Sequence, residues 1–251
     1  MNDRGYELHL GDCIEVMRGM PDGSVDAVIT DPPYGTTACK WDTIIPLEPM
    51  WEQLKRIAKP KAAIVLFSSQ PFTSALVMSN PEMFKHAWVW DKNRGNGHLV
   101  AKYRPLQRTE DICVFCKTSQ NYFPQMVERE KPRKFHKSPT QTSVLTKQKY
   151  KDNYKRKDYT HRYPTNIIFN SWSIRSGFHP TQKPVSLMEY LIRTYTKEND
   201  IVLDFAMGSG STIVACVNTG RYGIGNDNDP DYYAIAEKRI YEASLQPRLI
   251  P

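Results

Sequence analysis

Ile201-Val202-Leu203-Asp204-Phe205-Ala206-Met207-Gly208-Ser209-Gly210-Ser211-Thr212 passes from a short apolar run, through a glycine turn, into a helical pattern. The run is short and bounded by turn residues, so it reads as a buried strand. Gly208 and Gly210 permit positive φ and let a ligand approach backbone N–H groups at the start of a helix. That helix spans Ser211 to Asn218 and is closed by Gly220. The strand Tyr222-Gly223-Ile224-Gly225 follows, and Asp227 at its end is placed like the acid that accepts hydrogen bonds from a ribose. No lysine follows the glycines as a triphosphate loop requires. Taken alone, the turn would equally suit a bare strand-to-helix connection.

The same alternation extends on both sides. Leu8 to Leu10 reads as a strand and Cys13 to Met20 as a helix, and the apolar run Val25 to Thr30 is a second strand. Leu47, Met50, Trp51, Leu54, Ile57 and Ala58 keep helical spacing until Lys59-Pro60. Ala62 to Phe67 is a strand, Phe72 to Met78 a helix, and His86 to Trp90 and Asp111 to Cys116 are further strands. After Pro184 comes a helix with Met188, Leu191, Ile192 and Tyr195 on its apolar side, and Pro230 opens the last one. Alternating strands and helices predict an α/β fold, a mostly parallel twisted sheet covered on both faces. Between Ser119 and Pro164 the periodicity fades, so 1–118 and 165–251 are expected to form one core and 119–164 an insertion.

Charge is concentrated in that insertion. From Glu128 to Arg162 there are 12 Lys/Arg and 4 Asp/Glu, a balance of +8, against 22 and 23 in the rest of the chain. Phe135, Tyr150, Tyr154 and Tyr159 punctuate it, the composition a phosphate backbone attracts, although a solvated loop would look the same. The five cysteines are scattered, which favours reduced thiols. Cys113 and Cys116 lie three apart on a strand and face opposite sides, so no metal is expected. No apolar run approaches the roughly 20 residues of a membrane span, and the polar start is unlike a signal peptide. A cytoplasmic protein is expected.

The strand Val25 to Thr30 runs into Asp31-Pro32-Pro33-Tyr34. Two prolines impose a rigid, extended turn at the carboxyl edge of the sheet, where ligands bind in open α/β folds. The Asp31 carboxylate and the Pro32 carbonyl are two acceptors, matching the two hydrogens of an exocyclic amine. Tyr34 offers a flat face for a flipped base. Alone, this stretch would also serve as a structural strand exit.

Asp31-Pro32-Pro33-Tyr34, His179-Pro180-Thr181-Gln182-Lys183-Pro184 and the glycine turn, in that order, resemble the amino-methylating DNA methyltransferases. More narrowly they resemble the circularly permuted β class, in which the catalytic motif precedes the cofactor motif. The resemblance implies a Rossmann-like S-adenosylmethionine-dependent methyltransferase fold and methyl transfer from S-adenosyl-L-methionine to a base amine in double-stranded DNA. Asp31, Pro32, Pro33 and Tyr34 would be catalytic. Asp204, Phe205, Gly208, Gly210 and Asp227 would hold the cofactor, with Asp12 and Cys13 at its adenine and Thr181 and Lys183 in the loop over it. Two positions depart from the family pattern: Asp204-Phe205-Ala206 stands where Asp-Pro-Phe is common, and Asn226 replaces an apolar residue.

By the same resemblance the insertion is a target-recognition region, with Arg129, Lys131, Arg133 and Lys134 on DNA phosphates. Asn93, Arg94 and Asn96, in a glycine-rich loop after Trp90, are further DNA contacts. Asp at position 31 favours N6-adenine over N4-cytosine. A binding-only relative is the rival from another class, and the intact Asp31, Tyr34, Gly208 and Gly210 argue against it. A homodimer and a cognate restriction endonuclease of a restriction-modification pair are the further partners the resemblance suggests.

Overall fold

The computed structural model describes residues 5–36, 42–133, 159–169 and 182–246. Thr181 and Lys134 lie outside the described residues. The chain divides into two units, one of residues 1–123 with 166–251 and one of residues 124–165.

In the larger unit, β1 (Tyr6–Leu10), β2 (Val25–Thr30), β3 (Ala58–Ser68), β4 (Phe84–Asn96), β5 (Gln107–Phe115), β8 (Ile167–Phe169), β9 (Ile201–Asp204) and β10 (Tyr222–Asp227) form one sheet. Its order is β1-β10-β9-β2-β3-β5-β4-β8. Only β5 runs against its neighbours β3 and β4; the other pairings are parallel. The helices are α1 (Cys13–Gly19), α2 (Leu47–Ile57), α3 (Phe72–Ser79), α4 (Val185–Tyr195), α5 (Ser211–Thr219) and α6 (Pro230–Ser244).

Strand periodicity shows directly in the two cores. On β3, Ile64 and Leu66 pack with Met17 of α1, Leu54 of α2 and Leu76 of α3. Ala63, Val65 and Phe67 point the other way, toward Leu187 and Leu191 of α4 and Cys216 of α5. Both faces are therefore buried, which is why the strands read as continuous apolar runs rather than alternating ones. Helix starts follow local chemistry. The Asp12 side chain accepts from the Ile14 and Glu15 amides at 2.9 and 3.1 Å, and Asp229 caps α6 ahead of Pro230. Such caps contribute about 1 kcal/mol each.

The sheet order places the ligand edge. From β9 the chain crosses through α5 to β10 on one side, and from β2 through α2 to β3 on the other. Adjacent strands that depart in opposite directions leave a crevice at their carboxyl ends, the switch point of an open α/β sheet. Asp31 follows β2 and Asp204 ends β9, so both motifs open onto that crevice.

Three expectations need correction. Asn93, Arg94 and Asn96 are not in a loop after Trp90: β4 continues to Asn96, pairing Asp91 with Thr109 and, past an irregularity, Asn96 with Gln107. Its far end has left the apolar body of the sheet, so no hydrophobic signal marked it. Strand β3 begins at Ala58, earlier than read, because Ala58 pairs with Val25 before a register shift. The second unit begins at residue 124, not 119, since the Asn121 amide bonds the Lys61 carbonyl and the Phe123 amide bonds that of Thr194. This unit, by itself, holds the antiparallel pair β6 (Val127–Arg133) and β7 (Tyr159–Arg162). Charges alternating along β6 had hidden a strand with no apolar face.

Candidate active site

A cleft of about 740 Å³ lies at the switch point. Asp31, Pro32, Pro33 and Tyr34 form part of its wall, together with Asp12, Cys13, Lys183, Asp204, Phe205, Gly208 and Asp227. One cleft thus gathers residues from five separate stretches of chain, at 12–13, 31–34, 183, 204–208 and 227.

The turn after β2 is locked from behind. Asp42 accepts from the amides of Tyr34, Gly35 and Thr36 at 2.8, 2.8 and 2.9 Å. Charge-assisted bonds of this kind fix a backbone firmly. Within the turn, the Tyr34 hydroxyl donates to Asp31 Oδ1, and the Tyr34 ring stacks on Phe72 at a centroid distance of 5.4 Å.

The buried Lys183 ammonium lies 2.6 Å from Asp31 Oδ2 and 3.1 Å from Glu110 Oε2. It also sits over the rings of Phe67, Trp90 and Tyr34 at 5.2, 5.9 and 5.9 Å. Glu110 is paired in turn with the buried Lys92 at 2.9 Å. Two carboxylates and two ammoniums form a chain of zero formal charge. Burial pushes the Asp31 carboxyl up from its ordinary pKa, against the pull of Lys183. Burial also acts on Glu110, yet Lys183 and Lys92 together hold it below the usual carboxylate value. Lys183 is raised, because its two carboxylates outweigh desolvation. Burial and then the Asp31 charge raise Tyr34, keeping it a phenol and a donor.

At the other end of the cleft, Asp204 accepts from Thr30 Oγ1 at 2.6 Å and from the Ala206 amide at 3.2 Å. Burial pushes its pKa up to about 6. Asp227 accepts from the amides of Gly208 and Asp229 at 2.8 and 3.0 Å, and burial raises it too. Asn226, the departure from the apolar pattern, donates to the carbonyls of Gly11 and Phe205 at 3.1 and 3.4 Å, tying two cleft segments together. Gly208 has φ +52° and open space where a Cβ would stand.

The sequence-derived residues do not all meet here. Gly210 is absent from the cleft wall; at φ +80° it faces α6, where a Cβ would come within 2.9 Å of Ile240. A side chain there would push against α6, so its lack of one serves close helix packing. Lys183, expected in the loop over the cofactor, is on the wall and paired with the Asp31 carboxylate. Asn96 lines the cleft whereas Asn93 and Arg94 do not. Arg129, Lys131 and Arg133 lie on β6 in the second unit. Sequence reading missed Glu110, Lys92 and Asp42. The one available signal was an acidic Glu110-Asp111 pair at the head of an apolar strand.

A family model described as "DNA methylase", N6_N4_Mtase, matches residues 25–238. The chain belongs to this DNA methylase family. Relatives include the type II methyltransferase M.HpaI of Haemophilus parainfluenzae, 26% identical over 246 residues covering 93% of this chain and 73% of that protein. The putative methylase YubD of Escherichia coli K12 is 27% identical over 244 residues, covering 92% and 88%. Among solved structures, M1.HpyAVI in complex with SAM matches with a TM-score of 0.62 and 26% identity over 93% of this chain and 99% of that one. The cytosine-N4-specific PvuII DNA methyltransferase shares the fold, with a TM-score of 0.65 at 17% identity over 98% and 90%. The chain is a DNA amino-methyltransferase of the N6-adenine/N4-cytosine kind, built on the α/β methyltransferase fold.

Among the described residues, the buried atoms Ser211 Oγ, Asn226 Oδ1 and Gln182 Oε1 have no hydrogen-bond partner, and all three residues line the cleft. Unpaired buried polar groups cost about 1–3 kcal/mol each. A ligand rich in amine and hydroxyl donors, as S-adenosyl-L-methionine is, suits them.

Proposed function

We propose that the chain methylates the N6 amine of an adenine turned out of duplex DNA, with Asp31 and the Pro32 carbonyl holding the amine. S-adenosyl-L-methionine is the cofactor, and when bound it supplies an electrophilic methyl on a sulfonium. Asp12, Cys13, Asp204, Phe205, Gly208 and Asp227 would hold it, with Ser211 and Asn226 beside them.

The observation that carries this reading is the Asp31 carboxylate on the cleft wall, next to the rigid Pro32-Pro33 turn and under the Tyr34 hydroxyl. An adenine amine is a weak nucleophile because its lone pair is delocalised into the ring. Donating both N–H groups to Asp31 and the Pro32 carbonyl favours a pyramidal nitrogen and directs the lone pair at the methyl. The rate gain comes from positioning and electrostatics. Lys183 favours the ionised form of Asp31, an acceptor on both oxygens, although burial opposes ionisation. Methylation leaves one proton too many on the nitrogen, and Asp31 is the group placed to take it. Aspartate rather than serine at position 31 supports adenine.

Incubation with tritiated S-adenosyl-L-methionine and unmethylated genomic DNA, followed by nucleoside analysis by mass, should give N6-methyladenine. Asp31→Ala should lower transfer by about 10²–10³-fold or more while calorimetry shows cofactor binding retained. 4-Methylcytosine in the digest would overturn the adenine assignment, and near-normal turnover by Asp31→Ala would overturn the assigned amine site. Sequencing modified bases in cells expressing the chain supplies the target site.

A further inference from the structure

The hairpin joining β4 to β5 leaves the sheet at the cleft. Strand β4 runs parallel to β8 and opposite to β5, and Trp90, Lys92 and Asn96 of β4 and Glu110 of β5 all line the cleft wall. Residues 97–106 form its tip. Resting on the DNA-methylation reading above, we propose that this tip is a wedge that enters duplex DNA beside the target base, with Leu99 filling the gap the extruded base leaves.

The tip is a built structure. Gly97, at φ +93°, starts a 3-10 turn over His98–Val100, and the amides of Val100, Ala101, Tyr103 and Arg104 all bond to carbonyls within it. At its base Leu106 lies against Gly95, where a Cβ would stand 2.8 Å away, so only glycine lets the two strands come this close. Arg108 clamps Asp91 through two bonds of 2.6 and 2.8 Å, and Asp91 also accepts from the Asn93 amide at 2.8 Å. A braced base carries a short ordered turn.

On that turn Leu99 is 100% exposed and Tyr103 88% exposed. A fully exposed leucine forgoes the roughly 1.5–3 kcal/mol that its burial would contribute. Single exposed apolar residues are common on monomers, so the surroundings decide. From Lys92 to Arg108 there are five Lys/Arg and no Asp/Glu. Lys92 and Arg108 are engaged by Glu110 and Asp91, whereas the exposed Arg94, Lys102 and Arg104 have no carboxylate partner among the described residues. An apolar point flanked along the chain by free cations complements a base stack flanked by phosphates better than it does a neutral protein surface.

Distance fits as well. Leu99 is three residues beyond Asn96 on the cleft wall, at most about 10 Å of backbone. Turning a base into the cleft opens the stack at a cost of a few kcal/mol. A side chain inserted beside the opening occupies the space the base left and holds the duplex open.

The test uses the full chain and a duplex carrying the site found by sequencing. Leu99→Ala should lower kcat/KM for methyl transfer by about 10–100-fold, the few kcal/mol of an unsupported opening. Leu99→Met, which keeps an apolar point, should restore most of it. Because Leu99 touches no core, the unfolding temperature and S-adenosyl-L-methionine affinity should stay at wild-type values. The same duplex with an abasic position opposite the target is already weakened, and on it Leu99→Ala should approach the wild type.

Wild-type rates for Leu99→Ala on the intact duplex would overturn the wedge, as would an equal loss on both duplexes. Unchanged DNA kinetics with loss of a self-associated species would give the tip to a second copy of the chain and overturn it too. A wild-type chain that methylates neither duplex would overturn the DNA-methylation reading along with the wedge.

Discussion

Lys183 is where the chemistry of single residues meets most closely. Its ammonium is shared by Asp31 and Glu110, which lie 152 and 73 positions earlier in the chain (183 minus 31 and minus 110). Breaking a buried ion pair by removing one partner costs about 3–5 kcal/mol, because the remaining charge is stranded. Lys183→Met should therefore lower the stability measured by urea unfolding at neutral pH by about that amount. Glu110 keeps Lys92 in that variant, so the stranded charge is Asp31, and adding Asp31→Asn should recover part of the loss. A double variant as unstable as the sum of the singles would show the residues are uncoupled. The pH dependence has a definite sign. Glu110 is held below its ordinary pKa, so its contribution is present above the unfolded value and is lost as pH falls through the folded one. Without Lys183, Asp31 loses the largest influence opposing its burial, so the acid limb of methyl transfer should move to higher pH in Lys183→Met.

At the scale of elements, the turn between β9 and α5 uses its two glycines differently. Both have positive φ, +52° at Gly208 and +80° at Gly210, and an L side chain there costs about 1–2 kcal/mol. Space separates them. A Cβ at Gly210 would meet Ile240 at 2.9 Å and Ala236 at 3.1 Å, so Gly210→Ala must also push α6 away. A Cβ at Gly208 meets nothing and stands at the cleft wall. Gly210→Ala should thus show the larger fall in unfolding temperature, and Gly208→Ala the larger fall in S-adenosyl-L-methionine affinity by calorimetry. Matching profiles for the two variants would refute this division. The hairpin of β4 and β5 belongs to the same scale: its strand ends supply Lys92 and Glu110 to the site, and its tip supplies Leu99 to the proposed wedge.

For the whole molecule the uneven charge is the dominant fact, since the +8 balance between residues 128 and 162 exceeds the net +7 of the chain. Lys131 and Arg133 of β6 are exposed, while Arg129 donates to the His161 carbonyl of β7 at 3.2 Å. If β6 tracks phosphates, each neutralised contact releases counterions and contributes about 0.9 to the salt slope of binding. Lys131→Gln combined with Arg133→Gln should lower the slope of log K against log salt by about 2. An unchanged slope in filter binding would make this strand a solvated surface.

The sequence by itself determined what depends on neighbours along the chain. Apolar runs, prolines and caps act over a few residues, so Val25–Thr30, the rigid turn at Asp31-Pro32-Pro33-Tyr34 and the glycine turn were all legible, and with them the α/β class. Elements without an apolar signal, such as β6 and the far end of β4, were not. Only the tertiary structure decided that Lys183 meets Asp31 and Glu110, that Asp42 pins the turn, and that Gly210 serves packing. Those contacts follow from strand order and register, in which Glu110 reaches the cleft by pairing with Trp90 across the β4–β5 hairpin. Strand order is chosen by burying both faces of the whole sheet at once, a condition that no short stretch of sequence carries.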